Sequence, residues 1–154
     1  MIHSNLSYCI NIYGCASKTS LNPLILKQKQ AIRTISKVGY REHTGPLFSN
    51  LKILSLEKMI TYYHIKFMQN YHFKKLPLSF ANMWPTNEEL NPGRNLRNAE
   101  DLHIQPHRVE LVKKMPLYSF PLAWNNAPAD KLNPIQHLYM KSLKSVLLTT
   151  PPNL

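Results

Sequence analysis

The placement of proline most constrains this chain, because proline lacks a backbone N–H and disrupts the interior of a helix. The chain has 12 prolines in 154 residues. Those between residues 73 and 133 predict that this stretch holds no long helix (Pro77, Pro85, Pro92, Pro106, Pro116, Pro121 and Pro128). The flanking stretches have the apolar spacing of amphipathic helices. We therefore expect a mainly α-helical fold: a small helical domain whose proline-rich C-terminal half is irregular and is closed by a terminal helix.

The stretch "LILKQKQAIRTISK" predicts an amphipathic helix over residues 23–37. Asn22-Pro23 is typical of a helix start, since Asn caps well and Pro fits the first helical position. Gly39 is the expected stop. The side expected to face the core carries Leu24, Ala31, Ile32 and Ile35.

Two further helices are expected before residue 73. Thr44-Gly45-Pro46 opens a short one that carries Leu47, Phe48 and Leu51. Ser55 caps a long helix over 56–72. Its main apolar stripe is Leu56, Met59, Ile60, Tyr63, Phe67 and Tyr71, while Ile65 and Met68 lie on a different side. A helix that is apolar on two sides is expected to be packed on two sides.

The ends and the middle of the chain give weaker patterns. A short helix over 4–14 is expected to turn Leu6, Ile10 and Tyr13 to one side. Residues 86–100 are polar and predict a mobile loop, and "LHIQ" and "PLYSF" are candidate extended pieces. Asn133-Pro134 predicts a last helix over 134–148. It is expected to bury Ile135, Leu138, Tyr139, Leu143 and Val146 and to expose His137, Lys141 and Lys144.

We interpret residues 1–154 as one domain or a domain fragment. Residues 1–72 form its helical part, 73–133 its loop-rich part and 134–148 its terminal helix.

The charge balance points to a polyanionic partner. Lys and Arg number 19 against 8 Asp and Glu, giving a net charge of +11 and a pI near 9.8. Nucleic acid is favoured over an acidic membrane surface, and a merely solvated basic surface is the alternative. No stretch reaches the roughly 18 apolar residues of a membrane span, so no membrane partner is expected.

The two cysteines, Cys9 and Cys15, favour an intracellular chain, in the nucleus or the cytoplasm. They are six residues apart, which makes a disulfide within one helix unfavourable. Two buried, reduced thiols are the expectation, and without a second pair no zinc site can be built from cysteine alone.

The residues do not suggest a catalytic centre. The two aspartates, Asp101 and Asp130, are far apart, so they cannot supply the carboxylate cluster that two-metal phosphoryl transfer needs. Glu88-Glu89 are interpreted as a solvated pair. No nucleophile elbow or glycine-rich phosphate loop is present. His64, His72, His103 and His107 are interpreted as packing or surface residues. We expect no catalytic residue, metal or cofactor in this chain.

A row of cations is the candidate binding feature. Lys29, Arg33 and Lys37 recur every four residues without an acid between them. Like charges at this spacing weaken an isolated helix by a few tenths of a kcal/mol, roughly, so a partner that neutralises them is expected. Arg41, Arg94 and Arg97 are added to this candidate nucleic-acid-binding set. Interleaved aromatics could stack on bases, but Tyr63, Trp84, Tyr118 and Trp124 are interpreted as core residues.

The segment "YGCASKTSLNPLILKQKQAIRTISKVGYREHTGPLFSNLKILSLEKM" resembles the region after the reverse-transcriptase domain in LINE-type (non-LTR, jockey-like) retrotransposon polymerases. The matching positions are Tyr13-Gly14, Leu21 through Arg33 and Thr44 through Leu54. Further similar blocks are "LPLSFANMW", "LRNAED", "PLYSFPLAWNNAP" and "KSLKSVLL". The resemblance covers nearly the whole chain.

The resemblance implies a thumb-like, post-palm region of an RNA-directed DNA polymerase, whose helices lie against an RNA–DNA duplex. The palm with its Tyr-x-Asp-Asp carboxylates has no matching position here, so no catalytic residue is carried over. One alternative is a helical interaction module that docks on the missing polymerase domain. A non-functional relic of a mobile element is another.

Overall fold

The computed structural model describes residues 2–128 and 136–150 of the chain. These residues form eight α-helices and no strand, with one isolated bridge between Thr86 and Leu102. The helices are α1 (Ile2–Ser7), α2 (Ile10–Tyr13), α3 (Lys18–Ser36), α4 (Thr44–Asn50), α5 (Leu56–His72), α6 (Asn87–Leu90), α7 (Pro116–Asn125) and α8 (Gln136–Thr149). The mainly α-helical class is therefore confirmed.

The helices group into two compact units. The first unit holds residues Met1–Tyr63 and His137–Leu154, and the second holds His64–Gln136. The boundary falls inside α5, after Tyr63, whereas the sequence placed a change at residue 73. The terminal helix belongs with the N-terminal part of the chain.

The core of the first unit is a cluster of four buried apolar side chains. Ile10, Leu54, Leu56 and Met59 form it, each at most 4% exposed. Side chains from α1 to α3, α5 and α8 pack around it, among them Leu6, Tyr13, Ile25, Ile60 and Leu147. The expected inward side of the first residues, with Leu6, Ile10 and Tyr13, is confirmed.

The predicted start of α3 is wrong. The helix begins at Lys18, because the Ser17 hydroxyl accepts a hydrogen bond from the Ser20 amide at 3.2 Å and so caps it. Pro23 lies inside the helix. It cannot donate to the carbonyl one turn earlier, at Thr19. Both residues are exposed, so water can satisfy that carbonyl.

The predicted core side of α3 is also partly wrong. Ile32 is buried and Ala31 is half-buried, but Leu24 and Ile35 are 38% and 56% exposed. The inward positions are Leu21, Ile25, Gln28 and Ile32. The error has one cause: Gln28 is polar, and its place at the centre of the buried stripe shifted the apparent apolar face to one side.

Lysine rather than glycine ends α3, α4 and α5. Lys37, Lys52 and Lys74 adopt the left-handed conformation, with φ near 52–53°. After α3, the Val38 amide donates to the Arg33 carbonyl and the Lys37 amide to the Thr34 carbonyl, both at 3.2 Å. This is the Schellman arrangement, in which glycine is the usual residue. The predicted stop at Gly39 therefore comes two residues late.

The short and the long helix before residue 73 match their predicted positions. In α4 Phe48 is buried and Leu47 is half-buried, whereas Leu51 is 37% exposed. In α5 Leu56, Met59, Ile65 and Met68 are all at most 2% exposed. Apolar residues on two sides of α5 are thus buried, as expected.

The first residues form two short helices rather than one. Cys9 separates α1 from α2 with a φ of 51°, a left-handed conformation that interrupts a right-handed helix. Cys9 and Cys15 are not joined by a disulfide. Cys9 is exposed and Cys15 is partly buried, so the expectation of two buried thiols is wrong for Cys9.

Two segments in the middle of the chain are helical where the sequence predicted extended or loop structure. "PLYSF" is not extended: it begins α7, with Pro116 at the first position, and Pro121 is tolerated inside that helix. Within the expected polar loop, Thr86 and Glu89 form a reciprocal capping box that starts α6. Glu88 and Glu89 are exposed, as predicted.

Helix α8 buries a different set from the predicted one. Tyr139 and Leu143 are buried and Lys141 and Lys144 exposed, as expected. Leu138 and Val146 are 52% and 42% exposed, and Met140 is buried instead. The predicted residues Pro134 and Ile135, and the side chain of His137, lie outside the described residues.

Candidate nucleic-acid interface

Lys29 and Arg33 lie on one face of α3, one turn apart, and both are partly exposed. Lys37 follows directly after the helix and is exposed, but its left-handed backbone takes it out of helical register. The structure thus places two of the three predicted cations in one helical row and the third just beyond the helix end.

Arg33 is held in place by the loop that follows α3. Its Nε–H donates to the Glu42 carbonyl at 2.9 Å. Its guanidinium also lies 5.7 Å from the centre of the Tyr40 ring, a cation–π distance. The Nε contact uses the inner nitrogen of the fork, and the terminal nitrogens can still form a bidentate contact with a phosphate.

No acid neutralises this face in the part of the chain that the structure describes. The ion pair between Lys113 and Glu110 belongs to the second unit and not to this face. Glu42 meets Arg33 through its backbone carbonyl and not through its carboxylate. The positive charge of Lys29, Arg33 and Lys37 therefore stands without a salt bridge.

The other predicted site residues fall into two sets. Arg41 is exposed in the loop after α3, close in sequence to Lys37 and Tyr40. Arg94 and Arg97 are also exposed, but they belong to the second unit. They form a separate basic set and do not extend the α3 face within its own unit.

Of the four aromatic side chains interpreted as core residues, Trp84 and Trp124 are buried, whereas Tyr63 and Tyr118 are only partly buried. Trp84 and Trp124 are each 4% exposed, and Trp84 packs at 5.0 Å from the Tyr71 ring. Tyr40 is the exception near the basic face, at 82% exposed. The Arg33 guanidinium lies over the Tyr40 ring, so a base that stacked on this ring would lie next to Arg33.

No protein-family model, curated protein or solved structure matches this chain. Among the helices that the structure describes, none is both long and apolar enough to cross a membrane.

The histidines and carboxylates were candidates for a metal-binding group. Within residues 2–128 and 136–150, no three His, Cys, Asp or Glu side chains are placed to hold a metal ion. His64 is buried against the Phe120 ring at 4.4 Å, and burial lowers its pKa to about 4. His103 instead contacts the Asn87 amide oxygen through Nδ1 at 3.1 Å.

Sequence reasoning missed Lys58 and His43, which the fold brings to the same recess as Lys29. The recess has a volume of about 480 Å³ and lies in the first unit. Lys58 comes from α5, His43 precedes α4, and Lys29 belongs to α3. No periodicity within one helix could have linked them.

Proposed function

We propose that the basic face of α3 contacts the sugar-phosphate backbone of an RNA–DNA duplex, independently of sequence. The chain would act as the thumb-like C-terminal part of a LINE-type reverse transcriptase. Bond formation would take place in a polymerase domain outside this chain. The observation that carries the proposal is that Lys29 and Arg33 on one face of α3, and Lys37 directly after it, have no salt bridge within the described residues, while the Arg33 Nε–H donates to the Glu42 carbonyl.

The hydrogen bond that holds Arg33 supports a phosphate-binding role over a merely solvated surface. A solvated surface cation gains little from being held in one geometry, because long side chains lose entropy when they are ordered. A held guanidinium has already lost part of that freedom and presents its donors to a phosphate at lower cost.

Binding of the full chain to a labelled RNA–DNA hybrid tests the proposal. Fluorescence anisotropy across a range of salt concentrations should give a linear fall of log affinity with log salt. Arg33→Ala should reduce the slope by about one unit and weaken all sequences alike. Lys27→Ala is the matched control, since Lys27 is exposed on the far side of the same helix. Absence of salt-dependent binding at low ionic strength would overturn the proposal.

A second candidate function has its own observation. Beside the basic face, Ile35 is 56% exposed and lines an apolar recess of about 350 Å³ together with Leu6, Ala31 and Ile53. Such a surface suits docking on the polymerase domain of the parent protein. Ile35→Ser should then leave hybrid binding unchanged and weaken association with that domain, as measured by calorimetry. Unchanged association would exclude this surface.

A further inference from the structure

Four helices of the first unit border an open recess of about 480 Å³ beside Lys29. Its lining comes from α3, α4, the first turn of α5 and the end of α8. This volume lies within the range of about 300–1,000 Å³ that is typical of small-molecule sites. The backbone-binding role proposed for the α3 face does not need such a recess.

The rim of the recess is cationic. Lys29 and Lys58 line it, and one acid, Glu57, lines it as well. Lys58 Nζ donates to the Thr150 carbonyl at 2.6 Å, which leaves two of its three donors for another partner. The recess also borders the N-terminal turn of the 17-residue helix α5, whose dipole favours negative charge there.

His43 adds a hydrogen-bond donor to the rim. Its Nδ1 accepts a hydrogen bond from the Gly45 amide at 3.4 Å. Because Nδ1 is the acceptor, Nε2 is the ring nitrogen that can donate to a ligand. Ser49 and Thr149 line the same space. The Thr149 hydroxyl donates to the Val146 carbonyl at 2.9 Å and is left with acceptor capacity, whereas a serine hydroxyl such as that of Ser49 can accept or donate.

The inner wall of the recess is apolar. Ile25 and Leu148 line it and pack on the core cluster, while Phe48 and Leu56 are 9% and 1% exposed. An apolar wall under a cationic, hydroxyl-bearing rim fits a ligand with a flat, weakly polar body and an anionic end. Inorganic phosphate would leave the wall unused, and a fatty acid would leave most rim donors unused.

We propose that this recess binds a nucleoside monophosphate unit, with the phosphate on Lys29 and Lys58 and the base against the wall near Phe48. The choice of a nucleotide among phosphate esters rests on the proposed function, since Lys29 belongs to both surfaces. The unit can be a free nucleotide or the phosphorylated terminal nucleotide of a strand whose backbone lies along α3.

The first arm of the test titrates the full ¹⁵N-labelled chain with adenosine monophosphate. Amide signals of Lys29, Ser49, Lys58 and Thr149 should shift together. Lys29→Ala should weaken binding about tenfold, through loss of a charge-assisted hydrogen bond. Lys27→Ala should leave it unchanged.

The second arm separates the two sources of the phosphate. A short strand with a terminal phosphate is compared with the same strand ending in a hydroxyl. Tighter binding of the phosphorylated strand, without any effect of the free nucleotide, assigns the recess to strand ends. If neither probe shifts the four amide signals, or if shifts appear only elsewhere, the recess proposal is overturned.

Filling the recess distinguishes this proposal from the proposed function. Ser49→Trp should abolish nucleotide binding and leave the salt slope of hybrid binding unchanged, and Asn50→Trp is its exposed control outside the recess. Arg33→Ala should do the reverse. Each proposal can therefore fail while the other stands. Persistent nucleotide binding in a folded Ser49→Trp chain would contradict the recess proposal.

Discussion

The side-chain carbonyl of Gln28 accepts a hydrogen bond from the backbone amide of Leu56 at 2.8 Å. The amide group of the same side chain donates to the Leu54 carbonyl at 3.0 Å. Gln28 is 5% exposed, and with both bonds it caps the start of α5 from within α3. The backbone carbonyl of Ser55 accepts from Met59, which completes the helix start.

Replacing Gln28 by leucine should therefore destabilise the first unit. The apolar residue has a similar volume but leaves a buried backbone donor and a buried acceptor without partners, which costs roughly 2–4 kcal/mol. Denaturant unfolding followed by circular dichroism measures this loss. Gln30→Leu on the exposed side of α3 should stay within about 0.5 kcal/mol of the wild type. Equal losses in both variants would contradict the capping role.

His64 should make the protein less stable in mild acid. Burial holds its native pKa at about 4, below the ordinary value of 6.5. As pH falls from about 7 to about 4, the unfolded chain takes up a proton that the native state resists, so the free energy of unfolding drops by about 3 kcal/mol. His64→Leu should remove this component, as shown by urea unfolding at both ends of the range.

His72→Gln serves as the control for that pH dependence. His72 is exposed at the end of the same helix, so its replacement keeps His64 and its burial in place. The wild-type loss of stability should persist in this variant. An unchanged loss in His64→Leu would place its origin elsewhere in the protein.

Arg33→Lys should separate charge from fixation on the α3 face. Lysine keeps the positive charge but lacks the Nε donor that reaches the Glu42 carbonyl. The salt slope of hybrid binding should remain near the wild-type value, while affinity falls about threefold to tenfold because the cation is no longer held. A slope reduced as far as that of Arg33→Ala would argue against a point-charge contribution at this position.

Asn125 should be a main support of the second unit. Its side chain accepts from the Leu102 amide at 3.1 Å and donates to the Leu102 carbonyl at 2.9 Å, in place of a neighbouring strand. Asn125→Leu should lower the unfolding free energy by about 2 kcal/mol, since both backbone groups lose their partner. Thermal melts of the variant and the wild type measure this loss. Asn126→Leu, at the adjacent exposed position, should have little effect in these melts.

Local patterns predicted the helices where capping and packing agree. For α5, Ser55 precedes the first turn and the apolar residues behind it are buried, so the bounds match, although the side chain that caps the helix is that of Gln28. For α3, Asn22-Pro23 predicted a helix start, but the helix begins five residues earlier, where the Ser17 hydroxyl caps it. Pro121 likewise remains in α7, because a ten-residue helix is held mainly by burying Phe120 and Trp124.

The candidate site was predictable only where it follows one helix. Spacing alone placed Lys29 and Arg33 on a common face. The Glu42 carbonyl that fixes Arg33, and the meeting of Lys29 with Lys58, depend on how distant segments pack. The buried position of Gln28 could not be read from hydropathy, because its polarity is satisfied by backbone groups 26 and 28 residues away.

At Lys37, Lys52 and Lys74 the protein keeps a positive charge in a left-handed backbone conformation that lowers its stability. Each holds a backbone shape that costs a side-chain-bearing residue about 1 kcal/mol or more. Glycine would relieve the strain at every one of them and would remove a positive charge each time. A library selected for heat resistance alone should therefore drift toward a less basic chain, whereas selection for polyanion affinity should retain lysine at these three helix ends.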